Sequence, residues 1–468
     1  MQSSLTTGRV SLQLLKLSLP MVWGILSVLA FSLADTYFIA QLGTSELAAI
    51  SFTFPVVSIL ASIAMGLGTG AASVIAREIG KGNRQKVQRL TTDSLLLSLL
   101  IVGILAVLGL ITIRPLFIAL GARSDLLPMI RDYMSIWYLG MVFLVVPLVG
   151  NSAIRASGNT VVPSLIMTFA ALVNIVADPL LIFGWGPLPA LGIKGAALAT
   201  VCSRAGTLVA SLAFLHFRER LLIFTLPSLA TLTKNWHRLL FIGVPAAATN
   251  LISPLSVGLI TGLMARYGAE AVAGFGLASK IEAIALIIPI AISASIGPFV
   301  GQNWGAQKYG RVKQALRLSV SFCLGWGAIV GILLGISSFQ IITWFDSNPG
   351  VISSANIYLT LVPISYGALS IVLTAGSASN ALGKPFPAMA MSLCRLLLLY
   401  VPLAYLGSQL FGVIGIFSAA CMSNVMVGLG AWLWQSRWMS ALAATTKPKK
   451  NQLSQRSLLS NKLTKPTL

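Results

Sequence analysis

Charge is what this sequence has least of. Of its 468 residues only 9% are Asp, Glu, Lys or Arg, and just eleven are acidic. Histidine occurs twice, as His216 and His237, and cysteine four times, as Cys202, Cys323, Cys394 and Cys421. No CxxC pair occurs and no histidine stands at ligand spacing from a cysteine, which excludes a disulfide framework and a zinc site. An intramembrane enzyme would need a nucleophile with a base or a metal cluster, and two histidines in one connecting segment do not supply it. The glycine-rich stretches lack a GxxxxGK[ST] loop, so no nucleotide site is indicated.

What is present is apolar chain: 56% of the residues are hydrophobic, the composition of a polytopic membrane protein. A span takes about 20 mostly apolar residues. The polar punctuation leaves twelve such runs, near 14–41, 47–76, 90–113, 128–154, 161–183, 192–215, 238–265, 271–300, 314–338, 351–380, 387–408 and 412–436. The first is too long to be the core of a cleaved signal peptide.

The net charge of +21 is explained by the positive-inside rule rather than by a nucleic-acid partner. With the N-terminus inside, 24 of the 32 basic residues fall in cytoplasmic segments, and only Arg204, Lys280 and Arg395 lie within spans. Both termini are therefore expected in the cytoplasm, in a prokaryotic inner membrane, and the final segment 438–468 reads as a basic disordered tail able to touch anionic headgroups.

A shift of 225 residues superimposes Pro20 on Pro245, Gly43 on Gly268, Gly80 on Gly305, Tyr133 on Tyr358, Ala156 on Ala381 and Gly158 on Gly383; near the end the register becomes 220, pairing Gly192 with Gly412. Two halves follow, 1–216 and 238–437, joined by a linker at 217–237. Six spans per half is an even number, so the repeat is parallel and its pseudo-twofold axis runs along the membrane normal. The expected fold is all-α, with 12 transmembrane helices in two six-helix bundles. A transporter with a cleft between its lobes suits that symmetry, although a channel shares it.

The repeat fails at its acids. Asp35 faces Ile260, and Asp178 faces Leu403 or Leu398, so the carboxylates belong to one lobe. A pore would be expected to repeat its lining. Both acids lie six residues before the outer end of an outward-running span, at matched depth, and intramembrane ionisable residues default to function. Asn174 stands four residues before Asp178, on the same helix face, and Pro179 loosens the turn beside it. Desolvation makes a carboxylate harder to ionise, and a second carboxylate nearby harder still, which suits a group loading and unloading a proton near neutral pH. The same oxygens, with Asn174, equally suit a sodium ion. Glu282 is the other deep acid, divided between a cavity contact and a structural partner for another helix. Pro20 should kink the first span, and protonation of Asp35 would let that span bend there.

Residues LADTYFIAQLGTSELAA (33–49), GLGTGAASVIAREIGKGN (66–83), RASGNTVVP (155–163), NIVADPLLIFGWGP (174–187) and GQNWGAQ (301–307) resemble the multidrug and toxic compound extrusion (MATE) transporters over nearly the whole chain. The acid pair is similar to that of the DNA-damage-inducible (DinF-type) prokaryotic branch. The resemblance implies a secondary transporter, with no cofactor and no resident metal, working as a monomer that exports cationic, often aromatic drugs in exchange for protons or sodium. It implies that Asp35, Asp178 and Asn174 couple transport to the ion, that Pro20 is the bending point, and that Asn151, with Tyr37 and Thr200, lines the cavity. No acid occurs in the tenth span, which favours coupling in the N-terminal lobe. A lipid-linked saccharide flippase of the same superfamily is the competing reading; it would place Arg204, Lys280 or Arg395 toward the cleft.

Overall fold

The structure is a computed structural model that describes residues 4–186, 189–225 and 228–445. It is almost wholly helical, as it must be in hydrocarbon, where each backbone N–H and C=O has to find a partner within its own segment. The first half contains α1 (Val10–Ala40), α2 (Thr44–Gly80), α3 (Arg84–Ala119), α4 (Leu127–Ala156), α5 (Val161–Ile182) and α6 (Ile193–Ala213). The second contains α7 (Leu229–Met264), α8 (Ala269–Ala285), α9 (Ile287–Gly305), α10 (Tyr309–Thr343), α11 (Pro349–Leu361), α12 (Tyr366–Ala381), α13 (Pro385–Leu393) and α14 (Val401–Thr445).

These make twelve crossings. Ten stretches are long and apolar enough singly, and α8 with α9, meeting at 48°, adds one more. The longest stretch, Pro385–Trp438, is two crossings joined at Gly412. There the backbone takes φ 60° and ψ −137°, nearly the φ 56° and ψ −130° of Gly192, its partner in the repeat. Only glycine tolerates that region readily. The same sequence register thus makes the same corner in both halves.

The expected eighth span is not one helix. Pro289 has no N–H to give to the carbonyl of Ala285, and that carbonyl accepts instead from Trp326 Nε1 at 3.1 Å. The chain therefore bends at Leu286. In the first half Ala64 occupies the equivalent position and α2 runs straight through. Conversely, α1 continues unbroken through Pro20, and α5 through Pro179 to Ile182, so the loosened turn expected beside Asp178 does not interrupt the helix. Helix α7 begins at Leu229, inside the expected linker, and α14 reaches Thr445. Residues 438–445 of the expected disordered tail continue α14, and the rest of it, from 446 onward, lies outside the described residues.

Within each half the cores are separate; apolar clusters joining the halves occur at the end of the bundle that carries the basic loops. There Leu5, Leu14 and Leu17 pack on Ile296, Phe299 and Val300, while Leu239 and Ile242 of α7 enter the core of the first half. Glycines bring the backbones together. A Cβ on Gly66 would lie 2.5 Å from the Gly243 carbonyl oxygen, one on Gly80 2.1 Å from that of Gln302, and one on Gly305 2.1 Å from that of Arg77. Gly80 and Gly305 are repeat equivalents, each set against the backbone of the opposite half, Gly80 on Gln302 and Gly305 on Arg77.

Polar clasps flank this contact. Glu78 of α2, 2% exposed, accepts from Arg238 of α7 at 3.0 Å and from Lys81 at 3.1 Å. At the equivalent place in the second half Asn303 accepts from Arg311 at 2.9 Å, and Arg311 also donates to the carbonyls of Leu5, Thr7 and Gly8. The two halves are thereby tied at the basic end, and no core cluster among the described residues ties them at the other.

Candidate functional site

Asp35 and Asp178 come together in the first half. Helices α1 and α5 run parallel and in contact, and Ser27 Oγ meets Thr168 Oγ1 at 2.9 Å midway along them. Asp178 is fully buried, and its Oδ1 accepts from Asn174 Nδ2 at 3.1 Å, the i, i+4 contact expected from the sequence. Asp35 is partly buried and close enough for its charge to act on Asp178. Tyr133 of α4, 8% exposed, feels both carboxylates.

The atoms left over are of one kind. Asp178 Oδ2 and Asn174 Oδ1 are buried without a hydrogen-bond partner among the described residues, and both are acceptors. No Lys or Arg forms an ion pair with either acid among these residues, and no group of three or more His, Cys, Asp or Glu gathers there that could hold a metal ion. An acceptor-only cluster in low dielectric is satisfied by something that brings positive charge without needing much room. A proton fits that requirement best, and a small monovalent cation fits it next.

The remaining expected residues divide. Thr200 of α6 lies one turn outward of Arg204, whose guanidinium sits 5.2 Å from the Phe31 ring, and Phe31 lies one turn inward of Asp35. Antiparallel running of α1 and α6 therefore puts Thr200 at the level of Asp35. Tyr37, two residues on from Asp35, is 63% exposed and meets the Phe38 ring edge to face. Asn151 is 8% exposed with its Oδ1 unpartnered, but it stands eighteen residues along α4 from Tyr133, about 27 Å at 1.5 Å per residue. Asp93 of α3 is fully buried, paired with Arg89 at 2.7 Å and accepting from Asn235 at 2.8 Å. It pins α3 to the start of α7.

Glu282 is a sequence-predicted residue whose surroundings the sequence does not disclose. Tyr358 Oη donates to Glu282 Oε2 at 2.5 Å, and Arg395, whose charge acts on Glu282, donates to Asn424 Oδ1 at 3.0 Å. Tyr133 and Tyr358 are repeat equivalents, each beside its own half's deep acid. The repeat pairs the two tyrosines by register alone; nothing in it connects a tyrosine with acids on non-equivalent helices. Lys280 is exposed.

The family model MatE matches this chain twice, over residues 20–180 and 245–406, and the two matches begin 225 residues apart, the offset of the internal repeat. A FAD transporter of Shewanella oneidensis is 42% identical over 94% of this chain and 96% of its own length. A multidrug export protein, MepA, of Staphylococcus haemolyticus is 25% identical over 85% and 87%. Among solved structures, the Vibrio cholerae MATE transporter VcmN superposes with a TM-score of 0.88 at 30% identity, covering 92% of this chain and 97% of that one.

Proposed function

The chain belongs to the MATE family, and from that membership we propose that it is a secondary active exporter of flat aromatic compounds, driven by protons taken up at Asp35 and Asp178. The observation that carries the coupling site is the acceptor-only set formed by Asp178 Oδ2 and Asn174 Oδ1 beside Asp35. Deprotonated, the two carboxylates repel each other in a medium that screens little; one proton shared between them relieves that repulsion and changes how α1 packs on α5. Proton entry down a potential of about 100 mV supplies about 2.3 kcal/mol per charge. That sustains a concentration ratio of about fifty, at 1.4 kcal/mol per tenfold.

The positive-inside distribution supports cytoplasmic termini, and in that orientation the clasped basic end is the cytoplasmic gate, closed here while the lobes stand apart on the other side. The acid pair in the first lobe supports a place in the DinF-type branch, with Pro20 as the point about which α1 changes direction.

For the cargo, a flavin dinucleotide is the first reading, supported by the 42% identity to a relative named as a FAD transporter. Export of cationic aromatic drugs is the second, supported at 25% identity by the relative named MepA. The test is efflux from proteoliposomes under an imposed pH gradient, without sodium, using vesicles loaded with FAD or with ethidium. FAD moving faster than ethidium is the expected result. Ethidium moving alone would replace the first cargo reading with the second, and movement only after sodium is added would overturn proton coupling.

A further inference from the structure

We propose that Arg204 and Phe31 form an anion-binding subsite inside the first lobe that takes the phosphate groups of an aromatic cargo while the ring bears its flat part. The inference rests on the flavin reading above and adds the residue that selects anionic from neutral flavins.

Arg204 sits in the middle of α6, about as far from either end of the helix as a residue there can be. Arg395, likewise placed within a span, reaches oxygen on Asn424, and Arg89, Arg155 and Arg238 reach Asp93, Ser152 and Glu78. Arg204 reaches none among the described residues. Its Nε is buried without a partner, and the contact it does make is the Phe31 ring at 5.2 Å from the guanidinium carbon. A guanidinium has five N–H donors in a planar fork shaped for carboxylate or phosphate, and a ring contact satisfies none of them. One cation–π contact is also much weaker than the hydration a buried cation gives up. A guanidinium that makes no hydrogen bond to oxygen among the described residues is suited to an acceptor that arrives and leaves.

The acids of the coupling site do not fill that role. Phe31 and Asp35 share a face of α1 one turn apart, so Arg204 stands a turn inward of the carboxylates, and neither acid pairs with it. That separation leaves the guanidinium fork free of both acids. A planar aromatic anion is recognised by both members of the pair, its charge by the fork and its face by the Phe31 ring. The guanidinium geometry is specific enough that lysine, a point charge on a flexible stem, should serve only in part.

The measurement is binding of FAD and of riboflavin, which has no phosphate, to purified wild-type, Arg204→Gln and Arg204→Lys protein, followed by flavin fluorescence and paired with calorimetric titration of inorganic pyrophosphate. Arg204→Gln is expected to weaken FAD and pyrophosphate at least tenfold and to leave riboflavin within twofold, with Arg204→Lys between the two. Equal weakening of FAD and riboflavin, or no change in either, would overturn the subsite. If wild type binds neither flavin, the cargo reading falls by itself, and pyrophosphate then decides alone: binding to wild type but not to Arg204→Gln supports the subsite, and no binding to wild type overturns it.

Discussion

Asp35→Asn is expected to abolish the concentrating power of the transporter while leaving it folded and able to bind cargo. The side chains differ by one atom in shape and wholly in charge: asparagine carries two hydrogens that can donate to Asp178 Oδ2, the atom now without a partner. The variant therefore mimics the loaded, neutral state permanently. It cannot take a proton on one side and lose it on the other, so the cargo ratio of about fifty that a 100 mV potential could sustain should fall to one. Vesicles energised by a pH gradient should release no more dye or flavin than de-energised ones, whereas binding in detergent should stay within a few-fold of wild type. Asp178→Asn should do the same, and the double variant should be no worse than either single one, because residues that act as a unit are lost as a unit. Retention of half the wild-type pumping by Asp35→Asn would sink the assignment.

The two acids and Asn174 are legible in the sequence because they break a rule: a charge inside an apolar run demands a reason, and a repeat that loses its charges in one half says that the halves differ in duty. The fold is legible for a similar reason, since hydrocarbon permits little except helices of a set length, and Gly192 and Gly412 mark the same corner in both halves. What the sequence conceals depends on contact between distant segments. Nothing local tells that Trp326 takes the carbonyl that Pro289 leaves unpaired, so the prolines alone do not say that the chain bends beside Pro289 and not at Pro20 or Pro179. The i, i+4 spacing offers Arg89 to Asp93, but nothing local tells that Asn235 of α7 donates to it as well, which makes this acid a brace between the halves.

The second large effect is expected at Gly80 and Gly305, where access to the cavity is decided. Each presents a hydrogen to the backbone of the opposite half, and a Cβ on either would lie 2.1 Å from a carbonyl oxygen. No side-chain rotation relieves a clash with backbone, so Gly80→Val or Gly305→Val can be accommodated only by parting the two halves at the basic end. Overpacking of this kind costs about 1–3 kcal/mol, which at 1.4 kcal/mol per tenfold moves the balance between closed and open gates by about 5- to 150-fold. The clasps cannot restore closure, because Glu78 to Arg238, and Arg311 to the carbonyls of Leu5, Thr7 and Gly8, depend on the same approach of the halves. Transport should drop at least tenfold. A cysteine introduced at Ser73, whose hydroxyl now donates to the Asn380 carbonyl across the gate, should react with a water-soluble maleimide applied from the basic side much faster in the valine variants. Gly103→Ala, with nothing within 4 Å of the added carbon, should change neither quantity. Because Gly80 and Gly305 clash with different backbone carbonyls of the opposite half, the double valine variant should open the gate further than either single one. Unchanged labelling in a folded Gly80→Val protein would mean that the contact at the basic end is not a gate, and that the lobes move about some other point.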